Sequence, residues 1–256
     1  MTAHDPQRIR TALFDWWREQ AQAKGARAAS SLLLSELWDF VRDSTPERRR
    51  ARFGDMEYDW KHKVNTTSGT VGWQERLLGV FHSAYQATEE AAFREMMDTL
   101  PLDFREFTFI DVGSGKGRVL LMASEYPFRR IIGVELVSAL HHIAQENIAA
   151  YQGQPDFANG NRPHSRIQIP IESICIDARQ FMFPATPLLV YLFNPLPESG
   201  LRRLIRNIEG SYSQAPRAIW VVYHNPVLEH VLAESRFLVR IDGKPDCSVF
   251  RFQEAR

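Results

Sequence analysis

The stretch Phe107-Thr-Phe-Ile-Asp-Val-Gly-Ser-Gly-Lys-Gly-Arg-Val-Leu-Leu-Met-Ala-Ser124 constrains the chain more than any other. Phe107 to Val112 is a short aromatic and β-branched run, which favours a strand. Gly113, Gly115 and Gly117 then turn the chain, and Val119, Leu120, Met122 and Ala123 resume at helical spacing. A strand, a glycine turn and a helix in immediate succession form the front edge of a nucleotide-binding α/β unit. Glycine lets a ligand approach the backbone closely, and a helix start directs unpaired N–H groups at it.

The alternation continues towards the carboxyl terminus. A second strand is expected over 130–135, ending in Glu135, and a helix over 138–151. The polar, Gly-, Pro- and Asn-rich stretch 153–166 reads as a surface loop. Further strands are expected over 171–176, 188–193 and 218–223, followed by Asp177, Asn194-Pro195 and His224-Asn225-Pro226. Leu201, Leu204, Ile205 and Ile208 mark a helix, and 227–233 suits another. The last two strands, 236–241 and 248–252, are joined only by Asp242-Gly-Lys-Pro-Asp246. That link is too short for a helical crossover, so they must pair antiparallel. The expectation is an α/β fold: a doubly wound, mostly parallel sheet with helices on both faces. Ligands in such folds bind at the carboxyl ends of strands. Those ends carry Asp111, Glu135, Asp177, Asn194 and His224.

Ahead of this unit, Asp5-Pro6 is a capped helix start, and Ile9, Leu13, Trp16 and Trp17 follow at helical spacing towards a stop at Gly25. A second helix is expected from about Ser31 through Val41. Thr45-Pro46-Glu47 starts a third, carrying Arg48, Arg49, Arg50 and Arg52, which reads as a solvated face on a chain of zero net charge. Residues 53–73 mix Tyr58, Trp60 and Trp73 with Gly, Asn and Thr, the pattern of an irregular connector. It serves either as a flap over the binding site or as a linker whose aromatics pack on the core. Thr88 fits an N-cap for a helix through Phe93, Met96, Met97 and Leu100 that Pro101 ends. The chain thus reads as a helical cap and connector over 1–80 and a catalytic domain over 81–256.

Three ligand classes compete for the glycine turn. A Walker phosphate loop needs a glycine five residues before Gly115-Lys116 and a Ser or Thr after it; Ile110 and Gly117 stand there. A dinucleotide turn needs a third glycine where this chain has Arg118. S-adenosylmethionine, which carries an ammonium, a ribose and an adenine but no phosphate, is the third. Asp111-Val-Gly-Ser-Gly-Lys-Gly117, Gly133-Val-Glu135, Asp177 and Asn194-Pro195 together resemble the ordered motifs of class I, seven-stranded S-adenosylmethionine-dependent methyltransferases, over about 81–252. The antiparallel last hairpin fits the same family. The resemblance implies that Asp111 lies near the cofactor's ammonium, and that Gly113, Ser114, Gly115 and Gly117 line it. It implies that Glu135 holds the ribose hydroxyls and Asp177 the adenine amino group. Tyr85 to Thr88 is similar to a segment over the cofactor in lysine-methylating members; Thr88 therefore has a cofactor reading beside the N-cap one, and Tyr85 a lid reading beside a core one.

Asn194-Pro195 resembles the start of the Asn-Pro-Pro-aromatic motif of amine- and amide-methylating members, in which the Asn orients the target nitrogen. Leu196 and Pro197 replace the second proline and the aromatic, so no ring follows to stack on a planar base. Asn194 is therefore read as a substrate-orienting residue or a turn starter, and His224 as a general base or a hydrogen-bonded strand-end residue. The acceptors expected are a protein lysine or a small amine. Two other readings stay open: an NAD-type oxidoreductase, and a non-catalytic scaffold that keeps the fold. A net charge of zero and a pI near 7.1 argue against a strongly cationic nucleic-acid binder. Cys175 and Cys247 form no metal-spaced or redox pair, and the histidines form no metal motif, so no metal is expected. No apolar run is long enough to cross a bilayer, and the amino terminus lacks a signal-peptide pattern, which together predict a cytoplasmic protein.

Overall fold

The computed structural model describes residues 56–66, 87–153, 169–244 and 246–253, with short stretches between 14 and 34. The apolar runs form strands β1 (Thr108–Val112), β2 (Arg130–Glu135), β3 (Ile171–Cys175), β4 (Leu188–Phe193), β5 (Ile219–His224), β6 (Leu238–Lys244) and β7 (Cys247–Phe252). Six helices among the described residues are α1 (Met56–His62), α2 (Glu90–Asp98), α3 (Arg118–Ala123), α4 (Ser138–Gln152), α5 (Glu198–Gln214) and α6 (Glu229–Ala233). All strands join one seven-stranded sheet in the order β3-β2-β1-β4-β5-β7-β6. The first five run parallel to one another, and β7 runs antiparallel to both β5 and β6. The expected doubly wound, mostly parallel sheet with an antiparallel end is therefore the fold.

Each face of the sheet buries its own cluster. Phe109, Leu189, Tyr191, Trp220 and Val222 pack with Phe93, Leu120, Leu121 and Ile148 from α2, α3 and α4. Ile110, Val112, Val190, Leu192 and Val221 pack with Leu201, Leu204, Ile208 and Leu232 from α5 and α6. The central strands are apolar on both faces because both are covered. Full burial of one such side chain stabilises by about 1.5–3 kcal/mol.

The boundaries differ from expectation where tertiary contacts extend or cut a run. β3 stops at Cys175, so Ile176 and Asp177 lie beyond it. β5 reaches His224, which pairs with Phe193 on β4 and Cys247 on β7. The β6–β7 ladder continues to the Lys244–Cys247 pair, which shortens the link to residues 245 and 246. Part of the expected irregular connector is helical, since Met56–His62 forms α1. The Tyr58 and His62 rings meet at a tilt one turn apart, 4.4 Å between centroids, giving it a buried side the turn-rich flanks conceal.

The chain divides into two compact units, Met1–Met56 with Thr67–Gln86, and Glu57–Thr66 with Ala87–Arg256. In the first, residues 26–31 are helical, ahead of the expected start at Ser31, and follow Gly25 at φ 87°. Trp17 Nε1 donates to Ser30 Oγ at 3.1 Å. The expected third helix from Thr45 with its arginines, the rest of connector 53–73, Tyr85 and most of the expected loop over 153–166 lie outside the described residues. No helix among the described residues is long and apolar enough to cross a membrane.

Candidate functional site

Asp111 stands one residue from the end of β1, in register with Gly133 on β2 and Tyr191 on β4. β1 is where the strand order reverses, with β2 and β3 on one side and β4 and β5 on the other. That switch point opens a crevice at the carboxyl ends of the strands. The glycine turn crosses it with φ of 79°, 53° and 83° at Gly113, Gly115 and Gly117, a region in which a Cβ is strained. A Cβ on Gly113 would meet Pro195 Cβ at 2.7 Å, so the turn is pressed against the loop after β4. A Cβ on Gly133 would lie 2.6 Å from Ser114 Oγ, so this glycine is what lets the turn sit on β2.

Three polar groups of this turn region bear on ligand binding. The Asp111 carboxylate is only 3% exposed, and no described residue donates a hydrogen bond to it. Burial, then the nearby Glu135, push its pKa well above the usual carboxylate range. Among the described residues, Ser114 Oγ is buried without a hydrogen-bond partner. Glu135 Oε2 accepts from the Gly115 N–H at 2.8 Å, and Oε1 from the Val137 N–H at 2.7 Å. Burial raises the Glu135 pKa, and these N–H groups oppose the rise. A carboxylate has about four lone-pair sites, so these N–H groups do not exhaust its capacity to accept. The cluster fits a cofactor with a cationic end and hydroxyls: an ammonium would relieve the two buried acids at once.

Asp177 lies past β3 and accepts from the Arg179 backbone N–H at 2.9 Å and from the Arg179 guanidinium. Asn194 stands after β4 at φ 43°, facing Asn225 at φ 47° after β5. Its Nδ2 donates to the Asn225 carbonyl at 2.7 Å, and its Oδ1 accepts from Tyr223 Oη at 2.8 Å. The carboxamide thus ties two left-handed strand ends together. His224 Nδ1 lies 2.7 Å from Tyr191 Oη, and its ring stacks on Phe193 at 4.2 Å. Burial lowers the His224 pKa, against smaller opposing effects of Asp246 and Glu89. Thr88 does not cap α2: Glu89 holds the N-cap position with no side-chain cap bond. The Thr88 hydroxyl instead lies 3.3 Å from Tyr191 Oη, because the helix begins one residue later and Thr88 turns into the core at 2% exposure.

Tyr191, Arg118, Asp59, Asn65, Thr66 and Asn147 were not among the residues that motif reading singles out. Arg118, 3% exposed, donates from Nε to Thr66 Oγ1 at 2.7 Å, pairs with Asp59 at 3.4 Å and lies over the Tyr58 ring at 5.0 Å. Thr66 donates its N–H to Asp59 Oδ2 at 2.8 Å and its hydroxyl to Oδ1. Asn147 Nδ2 donates to the Asn65 and Lys116 carbonyls, both at 2.9 Å, and its Oδ1 accepts from the Asn65 N–H at 2.7 Å. The segment 57–66 is thereby laced onto the glycine turn. A signal existed for two of these residues: Arg118 is a charge entering an apolar helix, and Asn147 interrupts the apolar stripe of Leu140, Ala144, Ile148 and Tyr151.

No family model matches the chain, and no curated protein matches it. Many solved structures are similar in fold. An RNA methyltransferase from Salinibacter ruber, in complex with S-adenosyl-L-homocysteine, is 16% identical with a TM-score of 0.43, over 65% of this chain and 92% of its own. A putative methyltransferase from Pseudomonas syringae is 15% identical with a TM-score of 0.43, over 64% of this chain and 97% of its own. A ribosomal protein L11 methylase from Lactobacillus delbrueckii subsp. bulgaricus is 15% identical with a TM-score of 0.40, over 65% of this chain and 77% of its own. Likeness this weak assigns neither a family nor a substrate to this chain.

Proposed function

We propose that this chain is an S-adenosylmethionine-dependent methyltransferase of the class I, seven-stranded type. The observation that supports it most is the buried Asp111 carboxylate near the end of β1, beside a glycine turn and without a donor among the described residues. Such a group costs stability unless a cation meets it. An amino-acid ammonium is a cation of suitable size, and Glu135 offers its remaining lone pairs to ribose hydroxyls. The Ser114 hydroxyl and the backbone of Gly113, Gly115 and Gly117 line the same ligand. Asp177 would take the adenine amino group while keeping its bonds to Arg179. When bound, S-adenosylmethionine supplies a methyl group already activated by the sulfonium charge. The chain has then to place a nucleophile in line and exclude water. Asn194 and His224, at the ends of β4 and β5, border the acceptor side. An amino nitrogen, on a protein lysine or a small amine, is the acceptor class we favour.

Calorimetry on the full chain with S-adenosylhomocysteine and with NAD tests the reading. Micromolar binding of the first and no heat with the second is expected. The reverse result would put an oxidoreductase in its place.

A further inference from the structure

We infer that His224 is a hydrogen-bond donor on the acceptor side of the crevice, held as the Nε2–H tautomer by Tyr191 and Thr88, and that it recognises a lone-pair oxygen of the acceptor. The inference rests on the methyl-transfer reading only for the word acceptor; the tautomer stands on geometry alone.

Three groups form a row: Thr88 Oγ1 is 3.3 Å from Tyr191 Oη, which is 2.7 Å from His224 Nδ1. Each hydroxyl has one proton to place. If Nδ1 carried the ring proton, it would donate to Tyr191 Oη. Tyr191 would then have to donate to Thr88, whose own proton would find no acceptor among the described residues. Thr88 is 2% exposed, so that orphan would be costly. In the opposite sense no buried hydroxyl proton is orphaned: Thr88 donates to Tyr191, Tyr191 donates to Nδ1, and the ring proton sits on Nε2, at the end of the row that is open to solvent. Tyr191 keeps its proton at neutral pH, because burial above all, and then Asp111 and Cys247, resist its ionisation. The row is rigid: Phe93 meets the Tyr191 ring edge-on at 5.7 Å, and Phe193 stacks on the imidazole.

Nε2 has no partner among the described residues and is not sealed from solvent. It is the outward end of the row, at the carboxyl end of β5 beside the end of β4. A neutral imidazole carrying Nε2–H offers a donor there and no base. The partner it fits is a carbonyl or carboxylate oxygen near the atom to be methylated, whereas a protonated amine would be met by a hydrogen of the same polarity. Tyr191 is a positioning residue, acting through the imidazole.

Nitrogen-15 NMR of the full chain labelled at histidine tests this without cofactor or acceptor. The wild type should show the Nε2–H tautomer at neutral pH, with Nδ1 in the range of a hydrogen-bonded acceptor. In Tyr191→Phe the Nδ1 signal should move to that of an unbonded ring nitrogen. Acetate and acetamide, titrated separately, distinguish an anionic from a neutral oxygen. Either should shift the Nε2–H signal, and methylammonium should not. An Nδ1–H wild type, an Nδ1 signal indifferent to Tyr191→Phe in a folded protein, or a response to methylammonium alone would each overturn the inference. Because S-adenosylhomocysteine binding is read separately by calorimetry, either idea can fail without the other.

Discussion

Asp111 sets stability against binding. Its pKa is raised by burial and by Glu135, so the folded chain holds a proton there at pH values where the unfolded chain, near 3.8, has lost it. The folded state binds more protons, and stability from this group therefore falls as pH rises above about 4 through the raised value. Asp111→Asn keeps the shape and removes the penalty. It should stabilise the free protein at neutral pH by about 1–2 kcal/mol in urea unfolding. The same change should weaken S-adenosylhomocysteine at least tenfold by calorimetry. For the wild type, affinity should drop in acid as Asp111 takes up its proton. A variant that loses stability and keeps affinity would remove the ammonium role. At this scale the sequence was informative about Asp111 and Glu135, since a strand, a glycine turn and a second acid are local patterns. It did not reveal the contact of Thr88 with Tyr191, which spans 103 positions and depends on α2 starting one residue later than the Thr88 N-cap reading expects.

Among the elements, the strap 57–66 was the least legible. β1, β2 and β4 are apolar runs whose identity needs no partner, and they fall within a residue of expectation. α1 is seven residues long and sits among turn-forming residues, and a helix so short is held by tertiary contact. Its anchor is the buried Arg118–Asp59 pair with Thr66 between them. Removing one partner takes an opposite charge away from the other inside the core, which costs about 3 kcal/mol. Asp59→Ala should cost that much in urea unfolding and deprotect the amides of 57–66 in hydrogen exchange. Asp59→Leu combined with Arg118→Met should recover most of the stability, because an apolar pair of similar volume replaces the ions. If Asp59→Ala leaves exchange at 57–66 unchanged, the ion pair is not what anchors the strap.

Across the sheet, the order β3-β2-β1-β4-β5-β7-β6 places the reversal at β1, and the site residues come from the ends of five strands and the turn between β1 and α3. The antiparallel pairing of β6 and β7 was legible in their short link, but the insertion of β7 between β5 and β6 was not, because hairpin length says nothing of which strand pairs outward. A ligand spanning this crevice touches elements far apart in sequence, so its binding opposes unfolding of the unit as a whole. At a hundred times its Kd, a ligand that binds only the folded state adds about 2.7 kcal/mol. For a unit of this size each kcal/mol raises Tm by about 2–4 °C, so saturating S-adenosylhomocysteine should raise it by about 5–10 °C. The shift should grow with the logarithm of ligand concentration and vanish in Asp111→Asn combined with Glu135→Gln. A shift that survives the double variant would place the ligand elsewhere than at the carboxyl end of β1.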